Sequence, residues 1–232
     1  MKFALLGYGR MGKAIEKIAL ERGHEIVCKI DKNEQEGKLE DAHTAINFSI
    51  PDAAVDNISK ALMLSIPVVC GTTGWLDDYN KVTKMAKDHQ TAFLYASNFS
   101  VGVNLFFKLN KILAQMMHPH QEYKVSMQET HHIHKLDAPS GTAITLAEGI
   151  IDNTGITQWK IGEETPDTLP IQSVREGEVP GTHSIKYSST IDEINIEHKA
   201  HNRKGFAFGA VIAAEWIADK KGIFKMDDVL NL

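Results

Sequence analysis

The sequence predicts an α/β chain in two parts, a helix-wrapped parallel sheet and a smaller α+β part, and three observations predict it. The first is a series of short apolar runs, Phe3-Ala4-Leu5-Leu6, Glu25 to Ile30, Ala45-Ile46-Asn47-Phe48, Pro67-Val68-Val69-Cys70 and Ala92-Phe93-Leu94-Tyr95, separated by segments with helical periodicity. The second is that these runs are continuously apolar rather than alternating, as strands covered on both faces must be. The third is the change of pattern after Ser100. A long apolar helical stretch from Val101 to Met117 gives way to strands with turn signals, in which Ile194 and Ile196 alternate with Asn195 and Glu197, the mark of a sheet with one solvated face.

Composition bounds the partners. The 232 residues are 43% hydrophobic and 24% charged, with a formal net charge of −5, so the chain carries no basic field for nucleic acid, and any anionic ligand must be held by local donors. The two cysteines, Cys28 and Cys70, lie in apolar runs and form no disulfide framework or CxxC pair. The apolar run after Lys2 is too short for a signal peptide, and Glu215 divides the most apolar C-terminal segment, so a cytoplasmic protein without a membrane partner is expected.

The first strand runs straight into Gly7-Tyr8-Gly9-Arg10-Met11-Gly12, after which Met11, Ile15, Ile18 and Ala19 mark a helix. Between a first strand and a first helix, this spacing supplies a tight turn, close approach to a pyrophosphate and close helix–strand packing, so a Rossmann-type dinucleotide-binding domain is expected. The second strand ends at Asp31, where an acidic residue meets a ribose. The adjacent Lys32 can pair with a 2′-phosphate, which leaves NADH and NADPH both open. Helices are expected from about Asp52 and about Asp77. The strand ends carry Ser49-Ile50-Pro51, Gly71-Thr72-Thr73-Gly74 and Ser97-Asn98-Phe99-Ser100, and ligands of such sheets bind beyond the carboxyl ends of the strands.

In the second part a strand, Tyr123 to Thr130, delivers His131-His132-Ile133-His134-Lys135-Leu136-Asp137-Ala138-Pro139-Ser140-Gly141-Thr142, followed by an amphipathic helix from Thr142 to about Asn153. Three imidazoles and an ammonium stand one short loop from a helix start, whose unpaired amides and dipole favour a carboxylate or phosphate. The same residues read structurally as exposed loop histidines with Ser140 as a helix N-cap. Zinc is disfavoured because no ligand pair at helical spacing and no Cys at a recognisable offset accompanies the histidines, so no metal is expected. Residues 154–170 are turn-rich and carry no clear pattern. Strands are expected from Ile171 to about Lys199, with turns at Glu176-Gly177 and Pro180-Gly181. A helix, apolar nearly all round, is expected from Gly205 to Ile223 and should pack back on the first part. The domains are therefore expected at 1–101 with 205–232, and at 102–204, with hinges near 100 and 205.

Taken together, the glycine loop, Gly71-Thr72-Thr73-Gly74, Ser97-Asn98-Phe99-Ser100-Val101-Gly102-Val103-Asn104, the long His131 to Thr142 motif and Phe206-Ala207-Phe208-Gly209-Ala210 resemble the dihydrodipicolinate reductase family over most of the chain. The glycine loop is one residue shorter than the Gly-x-Gly-Gly-x-x-Gly form common there. The resemblance implies a cytoplasmic homotetramer in lysine and diaminopimelate biosynthesis. It would reduce a cyclic imine dicarboxylate, 4-hydroxy-tetrahydrodipicolinate, to tetrahydrodipicolinate with loss of water, using NADH or NADPH, with residues 102–204 serving substrate binding and tetramerisation. It also implies roles: His131 as proton donor or acceptor and Lys135 as proton donor; His132, Ser140, Gly141 and Thr142 at the substrate; and Gly7, Tyr8, Gly9, Arg10, Met11, Gly12, Asp31, Lys32, Gly71, Thr72, Thr73, Ala96, Ser97, Asn98 and Phe99 at the cofactor. Closure about the two hinges is expected to bring substrate to hydride. Another small-acid oxidoreductase on the same plan, or a non-catalytic nucleotide sensor, are the rival readings, and the His131/Lys135 pair argues against the second.

Overall fold

The computed structural model describes residues 1–32, 34–162, 165–202 and 204–232. The chain divides into two compact units, Met1–Val101 with Lys204–Leu232, and Gly102–Arg203.

Unit 1 opens with β1 (Lys2–Leu6), α1 (Arg10–Glu21), β2 (Glu25–Asp31), β3 (Glu34–Gly37), β4 (Thr44–Asn47), α2 (Pro51–Met63), β5 (Val68–Cys70), α3 (Tyr79–Asp88) and β6 (Ala92–Tyr95). The next helix, α4 (Val101–Met117), starts on the last residue of this first segment. The sheet order is β12-β6-β5-β4-β1-β2-β3, where β12 (Gly222–Phe224) comes from the C-terminal segment. All neighbours are parallel except β2 and β3. Alternation along β1 shows how the sheet is buried on both faces: Ala4 and Leu6 pack with Ile58, Leu62 and Val82 of α2 and α3, and Phe3 and Leu5 with Ile15 of α1 and Val211 and Ile217 of α6 (Lys204–Ile217). Because the chain steps from β1 to β2 on one side and returns to β4 on the other, the carboxyl ends of β1 and β4 flank the crevice where such sheets bind ligands.

Gly209 sets how closely α6 approaches this unit. A Cβ there would lie 1.7 Å from the carbonyl oxygen of Phe99, and neither atom belongs to a flexible side chain. Gly209→Ala is expected to destabilise the protein by about 2 kcal/mol through overpacking. The check is a lower urea midpoint at unchanged slope; an unchanged midpoint would show that the helix shifts freely.

Unit 2 continues with β7 (Lys124–His131), α5 (Gly141–Ile151), β8 (Gln158–Ile161), β9 (Thr168–Arg175), β10 (Thr182–Ser188) and β11 (Glu193–Lys199) in the order β11-β10-β7-β9-β8. The β7–β9 and β8–β9 pairs are parallel and the others antiparallel. Met127, Ile171, Ile185 and Tyr187 face Phe106, Ala114, Leu146 and Ile150 of α4 and α5, so the helices cover one face. After α6, β12 and α7 (Met226–Leu230) complete the chain in unit 1.

Several boundaries differ from the sequence reading. The helix expected to reach Ile223 ends at Ile217, because the polar Asp219-Lys220-Lys221 turn stops it and Gly222, at φ +127°, starts the strand that pairs with Phe93 and Leu94 through Ile223 and Phe224. The stretch 154–170 contains β8 and the start of β9, which begins at Thr168 rather than Ile171. No helix among the described residues is long and apolar enough to cross a membrane.

Candidate active site

Two groups of candidate residues stand out, one in each unit. In unit 1, Gly7 follows β1 at φ +99°, and a Cβ on it would strike the carbonyl oxygen of Phe48 at 2.3 Å. Gly12 lies inside α1 with its Cβ position 2.4 Å from the oxygen of Gly7, which locks helix against loop. Gly9, the N-cap of α1, has nothing within 4 Å of its Cβ position, so the backbone is open where a pyrophosphate would meet the helix dipole. Arg10 is exposed and Met11 half-buried. The Tyr8 hydroxyl donates to Glu16, and Lys29 lies 2.8 Å from Glu16 and 4.7 Å from the Tyr8 ring, so this cluster ties the loop to β2. Burial pushes the Glu16 carboxyl up, but hydrogen bonds from Lys29 and Tyr8 outweigh it and hold the group below its ordinary value.

The other cofactor candidates follow the same sheet edge. Asp31 closes β2 and Lys32 follows at φ +52°, both exposed. Met11, Phe48, Ser49, Pro51, Gly71, Thr72 and Thr73 line a cleft of about 200 Å³. The Thr72 hydroxyl accepts from the Ser49 amide at 2.8 Å and so joins the ends of β4 and β5. Beyond β6, Ala96 is half-buried and Ser97 exposed. Asn98 is buried and accepts from the Ser100 amide at 2.9 Å. The Phe99 ring is core, tilted against that of Phe48 at 5.6 Å, so any contact it makes with a ligand runs through its backbone. The loop and cleft fit a dinucleotide: the one glycine facing outward stands where a phosphate needs the backbone bare.

In unit 2 the inward row of β7 changes from apolar to ionisable at one end of the sheet. Met127, Glu129 and His131 share a face, and register places His183 of β10 and Ser173 of β9 beside Glu129, and Arg175 of β9 beside His131. Glu129 is fully buried, and its carboxylate accepts from the Ser140 amide (3.0 and 3.1 Å), the Ser173 hydroxyl (3.0 Å) and Arg175 Nη2 (3.1 Å). Burial pushes its pKa up, and these donors more than reverse that, so it is ionised at neutral pH. His131 Nδ1 lies 3.4 Å from the same carboxylate. Burial lowers the His131 pKa, Glu129 raises it, and Lys135 and Arg175 lower it again, leaving it below the ordinary imidazole value.

Lys135 Nζ is held 2.8 Å from both oxygens of Asp137 and keeps the Asp137 carboxyl below its usual range. Arg175 also donates to the carbonyls of Lys135 (3.3 Å) and Asp137 (2.6 Å), so one guanidinium anchors the loop and the buried carboxylate together. His132 is half-buried. His134 is exposed near Glu178. The Ala138-Pro139 peptide is cis. Ser140 is buried and caps α5. Its hydroxyl accepts from Ala143 N and meets His183 Nε2, both at 3.2 Å. Its amide and hydroxyl are thus both engaged within the protein. Gly141 and Thr142 form the first turn, and Gly141 is open to solvent.

Glu129, Arg175 and His183 escaped the sequence reading. The available signal was His183, a polar residue at an inward position of the alternating strand that also buries Ile185 and Tyr187. Ligand atoms of Glu129, His131 and His183 lie within 4.8 Å of one another. A cation there would meet Arg175 and a carboxylate already supplied with donors, so this donor set suits a proton better than a metal. A larger cavity of unit 2, about 500 Å³ beside His118, Tyr123 and Thr168, contains none of the residues assigned above.

Comparison with known proteins bears on both groups. Residues 1–99 match the family model described as dihydrodipicolinate reductase, N-terminus, and residues 102–230 the one described as dihydrodipicolinate reductase, C-terminus. A 4-hydroxy-tetrahydrodipicolinate reductase of Christiangramia forsetii is 52% identical over 234 aligned residues, covering 100% of this chain and 98% of the relative. A dipicolinate-bound dihydrodipicolinate reductase from Paenisporosarcina sp. TG-14 shares the fold at TM-score 0.81, with 22% identity and 97% of each chain covered. An engineered D-amino acid dehydrogenase bound to NADP+ is similar at TM-score 0.55 and 12% identity over 99% of this chain and 93% of that one.

Proposed function

The chain belongs to the dihydrodipicolinate reductase family, and from that premise we propose how its residues divide the work. The activity is an oxidoreductase step of lysine and diaminopimelate biosynthesis, the reduction of 4-hydroxy-tetrahydrodipicolinate by a nicotinamide nucleotide. We assign cofactor binding to Gly7 through Gly12, Asp31, Lys32, Gly71, Thr72, Thr73 and Ala96 through Phe99, supported by the open backbone at Gly9 and the cleft at Gly71–Thr73. The bound nicotinamide supplies the hydride. Asp31 suits an unphosphorylated ribose and Lys32 a 2′-phosphate, so NADH and NADPH are both accepted in this reading.

Catalysis is assigned to His131 and Lys135. Hydride addition to a ring carbon conjugated with an imine builds negative charge, which a cation stabilises and an acid quenches. Lys135 holds a substrate carboxylate and assists protonation, while His131 donates or relays the proton. The Gly141 and Thr142 amides, at the positive end of α5, hold the second carboxylate, with His132 beside them. Ser140 acts here as the cap that shapes the turn. The observation that carries this reading is the meeting of His131 and the start of α5 at one buried carboxylate, to which Arg175 ties the loop bearing Lys135. We further assign unit 2 to substrate binding and tetramer assembly and the protein to the cytoplasm; the exposed apolar row Leu105, Leu109, Ile112 and Met116 on α4 suits burial against a second copy.

Initial rates with NADH and NADPH on the imine formed in situ from pyruvate and aspartate semialdehyde test the reading. Oxidation of both cofactors is expected, and oxidation of neither overturns the substrate assignment.

A further inference from the structure

We propose that Glu129 is a positioning residue for this reaction: its carboxylate aligns the His131 imidazole, the first turn of α5 and, through Arg175, the Lys135 loop. The proposal rests on the assignment of His131 and Lys135 made above.

Three observations carry it. Glu129 is linked to every part that must be aligned, since it accepts the Ser140 amide at the start of α5, stands 3.4 Å from His131 Nδ1, and reaches the Lys135 loop through Arg175, which donates to the carbonyls of Lys135 and Asp137. It is wholly buried yet remains a carboxylate, which costs free energy unless each oxygen is supplied with donors and a countercharge. A neutral acceptor would serve the Ser140 and Ser173 bonds as well, so the charge is what calls for a functional account. The anion meets Nδ1 at 3.4 Å without a hydrogen bond, so it acts through its charge, which favours a proton on Nδ1 and leaves Nε2 as the reacting nitrogen. Space is kept at Nε2 by Gly181, where a Cβ would lie 3.2 Å from that nitrogen.

The charged and titratable groups facing His131 are Glu129 on its own strand, Arg175 from β9, His183 from β10 at a ring separation of 5.1 Å, and Lys135 and Asp137 from the loop. Glu129 raises the proton affinity of His131, and Asp137 does so more weakly. Lys135 and Arg175 lower it. Removing the Glu129 charge must therefore shift His131 toward more acidic titration.

The test is Glu129→Gln, close in shape but uncharged, beside Glu129→Asp, which keeps the charge on a shorter arm. For Glu129→Gln, kcat is expected to fall about 100-fold, the scale of a small misplacement of reacting groups, with little change in cofactor affinity. The limb of the pH profile on which activity falls as His131 deprotonates should move to lower pH. Glu129→Asp should lose activity while its midpoint stays near that of the parent. Titration of His131 by NMR reads the same shift in a variant too slow for kinetics. An unmoved midpoint in Glu129→Gln, or equal displacement in both variants, reduces Glu129 to a structural staple. His131→Ala and Lys135→Ala measured alongside separate the two failures. Full activity in those variants removes the catalytic assignment itself, whereas their inactivity with a fully active Glu129→Gln removes only the positioning role.

Discussion

Lys135→Ala is expected to lower kcat about 1000-fold, equivalent to about 4 kcal/mol of lost transition-state stabilisation, while the Kd for reduced cofactor stays nearly unchanged. The split follows from where the residues lie: the cofactor donors assigned above belong to unit 1, and Lys135 belongs to unit 2. Nζ is held by both oxygens of Asp137, so the ammonium is oriented, and under the assignment proposed above a substrate carboxylate must share or displace Asp137. Deleting the amine removes a cation and leaves the neighbouring Asp137 carboxylate without that partner, so KM for the imine should rise as well. Single-turnover rates with saturating cofactor, beside cofactor titration by fluorescence, check both halves. Unchanged turnover would falsify the catalytic role of Lys135, and lost cofactor binding would show that the substitution acts on the fold.

Acidification provides the second large effect. His183 is buried, and desolvation, with the His131 charge next in size, pushes its pKa down to about 4 from 6.5 in the unfolded chain. Between those values the unfolded chain takes up a proton that the folded one refuses, so stability is full above about pH 6.5, falls as pH drops, and levels off below about pH 4. The shift corresponds to a loss of about 3 kcal/mol across that window. Urea midpoints followed by circular dichroism at several pH values should trace the decline, and His183→Gln should flatten it. His131, lowered mainly by its own burial, adds in the same direction, so some slope should remain. A parent protein whose midpoint holds steady from pH 6.5 to pH 4.5 would contradict the buried neutral imidazole.

Local patterns made much of this molecule legible before its structure. The strands of unit 1 are short apolar runs between helical periods, and Gly7-Tyr8-Gly9-Arg10-Met11-Gly12 stands between strand and helix, as its dimensions require. The acidic and basic groups of the His131–Thr142 loop were legible for the same reason, being contiguous. What partners that loop was not. Arg175 lies 46 residues from Glu129, and His183 lies 43 from Ser140, and only strand register and the docking of the α5 cap bring them together. The stretch 154–170 hid β8 because Gly155, Gly162 and Pro166 break its pattern, and the apolar character of 205–217 ran on past a polar turn into Ile223 and Phe224, which belong to a strand. Periodicity measures one element at a time, whereas the buried carboxylate is a property of three strands together.

The wiring of unit 1 has a consequence for synthesis. Its sheet face formed by Phe3, Leu5, Ile46, Val69 and Leu94 is covered in part by α6, and its β6 edge is paired by β12, both encoded after all of unit 2. On the ribosome, the residues that emerge first therefore wait with apolar surface uncovered, while the inserted unit has its whole sheet and both covering helices at hand and can mature ahead of them. The larger unit can therefore close its core only after the smaller one has been made.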